Sequence, residues 1–229
     1  HALLERFKPR IYIAPGGAKP IDFYTDYLPY TILRRVNERD RVEERAPSRE
    51  RLQEFVYDPE FYLEYTGAPD RAPSYPTAYA QITREEVNLT ANGLITTRNF
   101  LFLRYHYIFL YGGLPARLSE FKEKIARFIG EPATWRELEH SSVYVVLDEE
   151  KRPLAIMLRQ YDHFRTYIVR AEEWNLPEDG AATIAFSLRS NQPYRLPEGD
   201  SPSLEFAALD FKEIPYIMGK GKEPFLAGT

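Results

Sequence analysis

The stretch Phe100-Leu101-Phe102-Leu103-Arg104-Tyr105-His106-Tyr107-Ile108-Phe109-Leu110-Tyr111 decides the fold. It is the longest apolar and aromatic run of the chain, and only Arg104 and His106 interrupt it. It falls well short of the roughly 20 apolar residues that a membrane-crossing helix needs. Its wealth of aromatic side chains is typical of strands, so we expect a buried β-strand here.

The sequence around this run indicates further strands. Asn92-Gly93 is a dipeptide that closes β-hairpins, and it separates the strand-like segments Tyr79 to Val87 and Leu94 to Thr97. Other predicted strands are Arg10 to Ala14, Tyr30 to Leu33, Glu60 to Tyr65, Val143 to Leu147, Leu154 to Leu158, Thr166 to Val169 and Thr183 to Leu188.

Helical patterns are few. Ser119 to Ile129 places its apolar residues on one face and is followed by Gly130, a good C-terminal cap. Ser48 is placed to cap a second helix from Arg49 to Phe55. The sequence therefore predicts a mainly β fold at the margin of α+β: an antiparallel β-sandwich with one or two inserted helices. No linker divides the chain, so we expect residues 1–229 to form a single domain with extended N- and C-terminal segments.

Composition narrows the class of protein. The formal net charge is -4 over 229 residues, which argues against a nucleic-acid partner. There is no cysteine, which excludes disulfides and thiolate ligands. No transmembrane segment is expected. Because the chain begins with His1 rather than methionine, we expect a trimmed N-terminus, and an extracytoplasmic bacterial protein whose signal peptide has been removed. Abundant charge and absent cysteine hint at a thermophilic source.

Histidine and carboxylate side chains form the main candidate site. Apart from His1 the chain has three histidines, His106, His140 and His163, and two of them follow an acid, in Glu139-His140 and Asp162-His163. Imidazole and carboxylate together suit a divalent metal or acid–base chemistry. We therefore predict a metal set of Glu139, His140, Asp162, His163 and His106. The alternative is that the histidines are dispersed and structural, and neighbours on a regular strand point to opposite faces.

An aromatic ladder offers a second candidate. Tyr105, Tyr107, Phe109 and Tyr111 alternate along one strand face. An exposed ladder could bind sugar or lipid headgroups, whereas a buried one is core, which is the commoner arrangement. Tyr105 and Tyr107 are the ligand-binding candidates of this ladder.

Several segments resemble a known family in their order along the chain. Five segments carry the likeness: Phe7 to Ile13, Tyr105 to Gly112, Trp135 to Val143, Leu158 to His163 and Thr183 to Tyr194. This order is similar to the vacuolar protein sorting-associated protein 62 family and, more distantly, to the necrosis-inducing proteins. The resemblance implies a β-sandwich. In the necrosis-inducing branch it implies acidic residues and histidine around a divalent cation that engage a membrane sphingolipid headgroup.

The resemblance maps onto few site residues. Glu139, His140 and His163 match the family's site positions, whereas Glu137-Leu138-Glu139 stands where the family has Asp-Trp-Glu. Arg189-Ser190-Asn191 stands where it has Gly-Ser-His, so Asn191 joins the ligand-binding candidates.

Three hypotheses of function follow. The first is a non-enzymatic binding module for a polar glycan or lipid headgroup, assisted by a divalent metal. The second is a metal-assisted hydrolase in which His140 or His163 is the general base and Glu139 or Asp162 orients it. The third is a structural protein with no active site.

Overall fold

A computed structural model describes most of the sequence. The described residues are 2–36, 38–55, 57–67, 73–110, 138–160, 165–174, 181–188, 190–196 and 212–219. The predicted helix Ser119 to Ile129 lies outside them, as do Tyr111, Asp162 and His163.

Strands dominate the described part of the chain, which makes the fold mainly β as predicted. The strands are β1 Arg10–Ile13, β2 Thr31–Arg35, β3 Glu38–Arg45, β4 Phe61–Tyr65, β5 Thr77–Ala91, β6 Leu94–Phe109, β7 Glu139–Leu147, β8 Pro153–Gln160, β9 Arg165–Arg170, β10 Thr183–Phe186, β11 Pro193–Arg195, β12 Lys212–Ile214 and β13 Ile217–Met218. Two short α-helices are described, α1 Ala2–Arg6 and α2 Arg49–Phe55. The hydroxyl of Ser48 accepts a hydrogen bond from the Arg51 amide, which confirms the predicted cap of α2.

A long hairpin organises the largest sheet. β5 and β6 pair in one unbroken antiparallel register from Ala91 and Leu94 at the turn to Ala78 and Tyr107. Asn92 and Gly93 close the hairpin with φ of 52° and 77°, the left-handed conformation that this dipeptide adopts easily. The six-stranded sheet has the order β13-β5-β6-β7-β8-β9, so the decisive aromatic strand lies near its centre.

The six-stranded sheet packs face to face on a second sheet of order β11-β10-β1-β12. Side chains from both sheets share one buried core, which includes Ile11, Ile184 and Phe186 from the smaller sheet and Tyr105, Val145 and Leu158 from the larger one. This arrangement is a β-sandwich. The predicted antiparallel β-sandwich is confirmed, with two parallel pairings inside it: β1 with β10, and β13 with β5.

A three-stranded sheet of order β3-β2-β4 completes the described architecture. A second core forms between its Tyr65, the helical turns at Phe23–Tyr27 and Leu28–Tyr30, and Tyr79 and Ile108 of the six-stranded sheet. This core lies against the face of the six-stranded sheet that is turned away from the sandwich. Within the described residues, no helix is long and apolar enough to cross a membrane.

Candidate functional site

The pairing of β6 with β7 brings two of the predicted histidines together. His106 lies opposite Ser142, and Ile108 lies opposite His140. Since side chains two residues apart on a strand share a face, His140 and Ser142 project on the same side as His106. This is the outer face of the six-stranded sheet, turned away from the sandwich core.

Three polar atoms converge at this point. Nδ1 of His106 lies 3.0 Å from Nε2 of His140 and 2.9 Å from Oγ of Ser142. Oγ of Ser142 lies 3.3 Å from Nε2 of His140. The two imidazole rings are near parallel, with centroids 5.2 Å apart. We refer to His106, His140 and Ser142 as the imidazole cluster.

Burial differs among the members of the imidazole cluster. His106 is 1% exposed and Ser142 is fully buried, whereas His140 is only partly buried. Of the three side chains, His140 is therefore the one most open to solvent. A hydroxyl as inaccessible as that of Ser142 offers no nucleophile to a substrate.

Aromatic and cationic side chains extend the same face. The ring of Tyr144 contacts His106 edge-on at a centroid distance of 5.9 Å. The guanidinium groups of Arg104 and Arg159 lie 5.2 Å and 5.6 Å from the centroid of that ring, and Nη1 of Arg159 donates to the Tyr144 hydroxyl at 2.9 Å. Arg104 also pairs with Glu85. The face beside the imidazole cluster therefore carries two guanidinium groups and one paired carboxylate.

The imidazole cluster has part of the donor set that a metal requires. Two imidazole nitrogens that bind one tetrahedral zinc ion lie about 3.3 Å apart, close to the separation seen here. Within the described part of the chain, no three histidine or carboxylate side chains group together in a way that could hold an ion. The predicted ligands Asp162 and His163 lie between β8 and β9, outside the described residues.

Glu139 does not join the imidazole cluster. It precedes His140 on β7 and points to the opposite face, where its Oε1 accepts a hydrogen bond of 2.6 Å from Nε2 of Gln192. The same side of β7 carries Ser141, whose hydroxyl donates to the Asn191 carbonyl at 2.7 Å. The prediction of Glu139 and His140 as two ligands of one ion is therefore corrected by strand alternation.

The aromatic ladder is core. Tyr105 and Tyr107 are fully buried, and the Tyr105 hydroxyl donates to the Leu4 carbonyl at 2.8 Å. The Tyr107 hydroxyl lies 3.4 Å from that of Tyr216. Burial raises the pKa of both phenols well above the usual value. This corrects the ligand-binding interpretation of Tyr105 and Tyr107, because neither has surface to offer.

Asn191 is also buried, with 1% of its surface exposed. Its φ of 49° is left-handed, a conformation that asparagine tolerates better than most residues. It lies in a tight polar turn in which the hydroxyls of Ser187 and Ser190 are 2.5 Å apart. The structure therefore gives Asn191 a place in a turn rather than a surface for a ligand.

Sequence reasoning missed Ser142, Tyr144 and Arg159. Ser142 and Tyr144 follow His140 at intervals of two residues, which on a strand places all three on one face. That spacing was the available signal. The cross-strand register that brings His106 opposite Ser142 could not be read from the sequence.

Comparisons with known proteins add a fold likeness. A solved structure described as "Toxin fold for microbial attack and plant defense" is similar to this chain with a TM-score of 0.43 and 14% sequence identity, over 95% of this chain and 72% of that chain. No protein-family model and no curated protein matches the sequence. The resemblance to the vacuolar protein sorting-associated protein 62 family therefore stays a prediction from the motifs of the sequence.

Proposed function

We propose that the protein is a non-enzymatic binding module that takes the polar headgroup of a glycan or lipid at the imidazole cluster, with a divalent cation between cluster and headgroup. The observation that supports this most directly is the 3.0 Å separation of the His106 and His140 nitrogens, beside a partly exposed His140 ring. Imidazole nitrogens are common ligands of Zn²⁺, Cu²⁺ and Ni²⁺. Headgroup oxygens would complete the coordination that two nitrogens leave open.

The surroundings of the imidazole cluster favour an oxygen-rich ligand. Arg104 and Arg159 flank Tyr144 on the same face, and guanidinium groups donate to hydroxyl, carboxylate and phosphate oxygens. The tyrosine ring between them gives a sugar ring or a headgroup an apolar edge to pack on.

Binding is favoured over the alternative of metal-assisted hydrolysis. A hydrolase of the predicted kind uses Glu139 or Asp162 to orient the base, and Glu139 is turned to the other face and held by Gln192. Glu85, a carboxylate on the same face as His140, pairs with Arg104. The carboxylate that the hydrolase hypothesis assigns to orienting the base at His140 is thus engaged elsewhere, which favours binding over catalysis.

Cation-dependent melting of the chelator-treated protein tests the metal step. A cation at a hundred times its Kd stabilises the folded state by about 2.7 kcal/mol, which raises Tm by roughly 5–10 °C for a chain of this size. We expect such a rise with one transition-metal ion for the wild type and for Glu139→Gln. His140→Gln should lose it. If Glu139→Gln lost the cation-dependent rise in Tm and His140→Gln kept it, the assignment of His140 as a cation ligand would be overturned.

Headgroup binding is then measured with the selected cation present. Immobilised glycans and lipid headgroups should be retained by the wild type, and retention should fall in His140→Gln and on chelation. The double variant Asp162→Asn with His163→Gln tests the two predicted ligands outside the described residues. If the cation binds but no headgroup is retained, the proposed binding function is wrong, whereas the proposed metal site is unaffected.

A further inference from the structure

The distal half of the β5–β6 hairpin extends beyond the sandwich. Among the described residues, β7 pairs with β6 only from Phe109 back to Leu101, and β13 pairs with β5 only at Thr77 and Ala78. The ribbon from Thr83 to Phe100 therefore has no described strand on either edge. We call this ribbon the hairpin arm.

The tip of the hairpin arm is apolar and exposed. Leu94 is 72% exposed and Ile95 is 70% exposed, directly after the Asn92-Gly93 turn, and Leu89 across the ribbon is 42% exposed. Aliphatic side chains that protrude together at such a position are commonly part of a contact surface.

Charged residues are absent from the tip half of the hairpin arm. The segment Val87 to Thr97 contains no aspartate, glutamate, lysine or arginine, although 28% of the chain is charged. Charged residues return together at its base, with Arg84, Glu85 and Glu86 on one strand and Arg98 on the other. An uncharged tip above a charged base matches the polarity gradient of a lipid interface, where apolar groups lie deepest and charges stay in water.

The directions of the apolar side chains favour a lipid bilayer over a folded protein as the partner of the tip. Leu94 and Ile95 are consecutive strand residues, so they point to opposite faces of the ribbon, and Leu89 shares the face of Leu94. A protein surface stacked on one face would bury one of the two and leave the other in water. A bilayer surrounds the tip and covers both.

From these observations we propose that the hairpin arm is a membrane-contact element, whose tip inserts Leu89, Leu94 and Ile95 into the interfacial region of a lipid bilayer. Insertion is shallow, because ribbon edges to which no described strand is paired keep their backbone groups hydrated, and this excludes the ribbon from the hydrocarbon core. The base residues Arg84 and Arg98 mark the depth limit. This inference does not depend on the headgroup proposed for the imidazole cluster.

Vesicle sedimentation of the full chain tests the arm, with neutral phosphatidylcholine vesicles as the probe. The double variant Leu94→Thr with Ile95→Thr keeps strand-forming residues at exposed positions and should bind about tenfold or more weakly than the wild type. The matched control, Leu154→Thr with Ile168→Thr, alters two exposed aliphatic residues of β8 and β9 and should bind like the wild type. Equal binding by the wild type and the arm variant, or no binding by the wild type, would overturn the proposal.

Fluorescence separates a bilayer from a second copy of the chain. Because the protein has no cysteine, Leu94→Cys, Ile95→Cys and Ile168→Cys each give a single labelling site for an environment-sensitive dye. With phosphatidylcholine vesicles, the labels at positions 94 and 95 should both shift to the blue, and the label at 168 should not. A shift at one arm position only, or a concentration-dependent shift without lipid, would assign the tip to a protein interface and overturn the proposal.

Failure of this test is distinguishable from failure of the proposed function. Arm variants should leave the cation-dependent melting of the protein unchanged, and the wild type should still partition into phosphatidylcholine vesicles when a chelator has removed the cation from the imidazole cluster.

Discussion

Nε2 of Gln192 donates a hydrogen bond of 2.6 Å to Oε1 of Glu139 and a second of 2.8 Å to the Ser190 carbonyl. Gln192 immediately precedes β11 of the smaller sheet, and Glu139 begins β7 of the larger one. One amide thus joins the two layers of the sandwich at the end where the imidazole cluster lies. Because Glu139 points inward at this bond, its neighbour His140 on β7 faces outward.

The Glu139–Gln192 pair should be strongly coupled. Gln192 is 1% exposed, so Gln192→Ala removes a charge-assisted hydrogen bond in a buried setting and should lower the free energy of unfolding by about 2–3 kcal/mol. Urea unfolding of Gln192→Ala, Glu139→Ala and the double variant measures the coupling. If the losses in free energy of unfolding of the two single variants add up to that of the double variant, the hydrogen bond contributes nothing to stability.

Alkaline pH should destabilise the fold through buried phenols. Burial, with a smaller contribution from Tyr65, raises the pKa of Tyr27 to about 12, and the two rings stack at 5.2 Å. A pKa raised on folding gives stability that is complete below the unfolded value near pH 10 and is lost as the pH rises towards 12. Unfolding in urea between pH 8 and 12 should therefore show a falling midpoint.

The variant Tyr27→Phe isolates this contribution. It should flatten the alkaline loss of stability relative to the wild type, because phenylalanine has no proton to release. Tyr75→Phe is the matched control, since Tyr75 is 44% exposed. An alkaline slope that is the same in Tyr27→Phe and the wild type would show that Tyr27 does not contribute.

Local sequence patterns predicted much of the sandwich. The Asn92-Gly93 turn, the buried run through Tyr105 and Tyr107 and the Ser48 cap depend on residues close in sequence, and each is present in the structure. Strand β3 is absent from the strands that the sequence predicted. It pairs antiparallel with β2, and its Glu43 forms an ion pair with Arg35 of β2, a cross-strand contact that no local pattern reveals.

The candidate site was predicted only in part, because it too depends on contacts between strands. His106 and His140 were chosen by residue type, and they meet because β6 and β7 pair in one particular register. A shift of that register by one residue would turn His140 to the core side. Period-two alternation does explain why Glu139 could not accompany His140, and it would have selected Ser142 instead.

The Tyr105 hydroxyl should anchor the N-terminal helix. It donates to the Leu4 carbonyl within α1, and both residues are buried. Tyr105→Phe leaves that carbonyl without this donor, so the free energy of unfolding should fall by about 1–2 kcal/mol and amides of α1 should exchange faster. Tyr62→Phe, at a position 37% exposed, should change neither quantity. Unaltered hydrogen exchange of α1 in Tyr105→Phe would contradict the anchoring role.

Two adjacent serines separate structural from site-specific effects. Ser141 and Ser142 are both fully buried, but Ser141 donates to the Asn191 carbonyl on the core side, and Ser142 contacts His106 and His140 on the outer face. Each change to alanine should lower the free energy of unfolding by about 1–2 kcal/mol. Only Ser142→Ala should also weaken cation binding, by roughly tenfold or more, because the hydroxyl orients the ligating rings. Calorimetric titration of both variants with the cation that stabilises the wild type measures this. Equal cation affinity in Ser141→Ala and Ser142→Ala would mean that the hydroxyl of Ser142 only fills space between the strands.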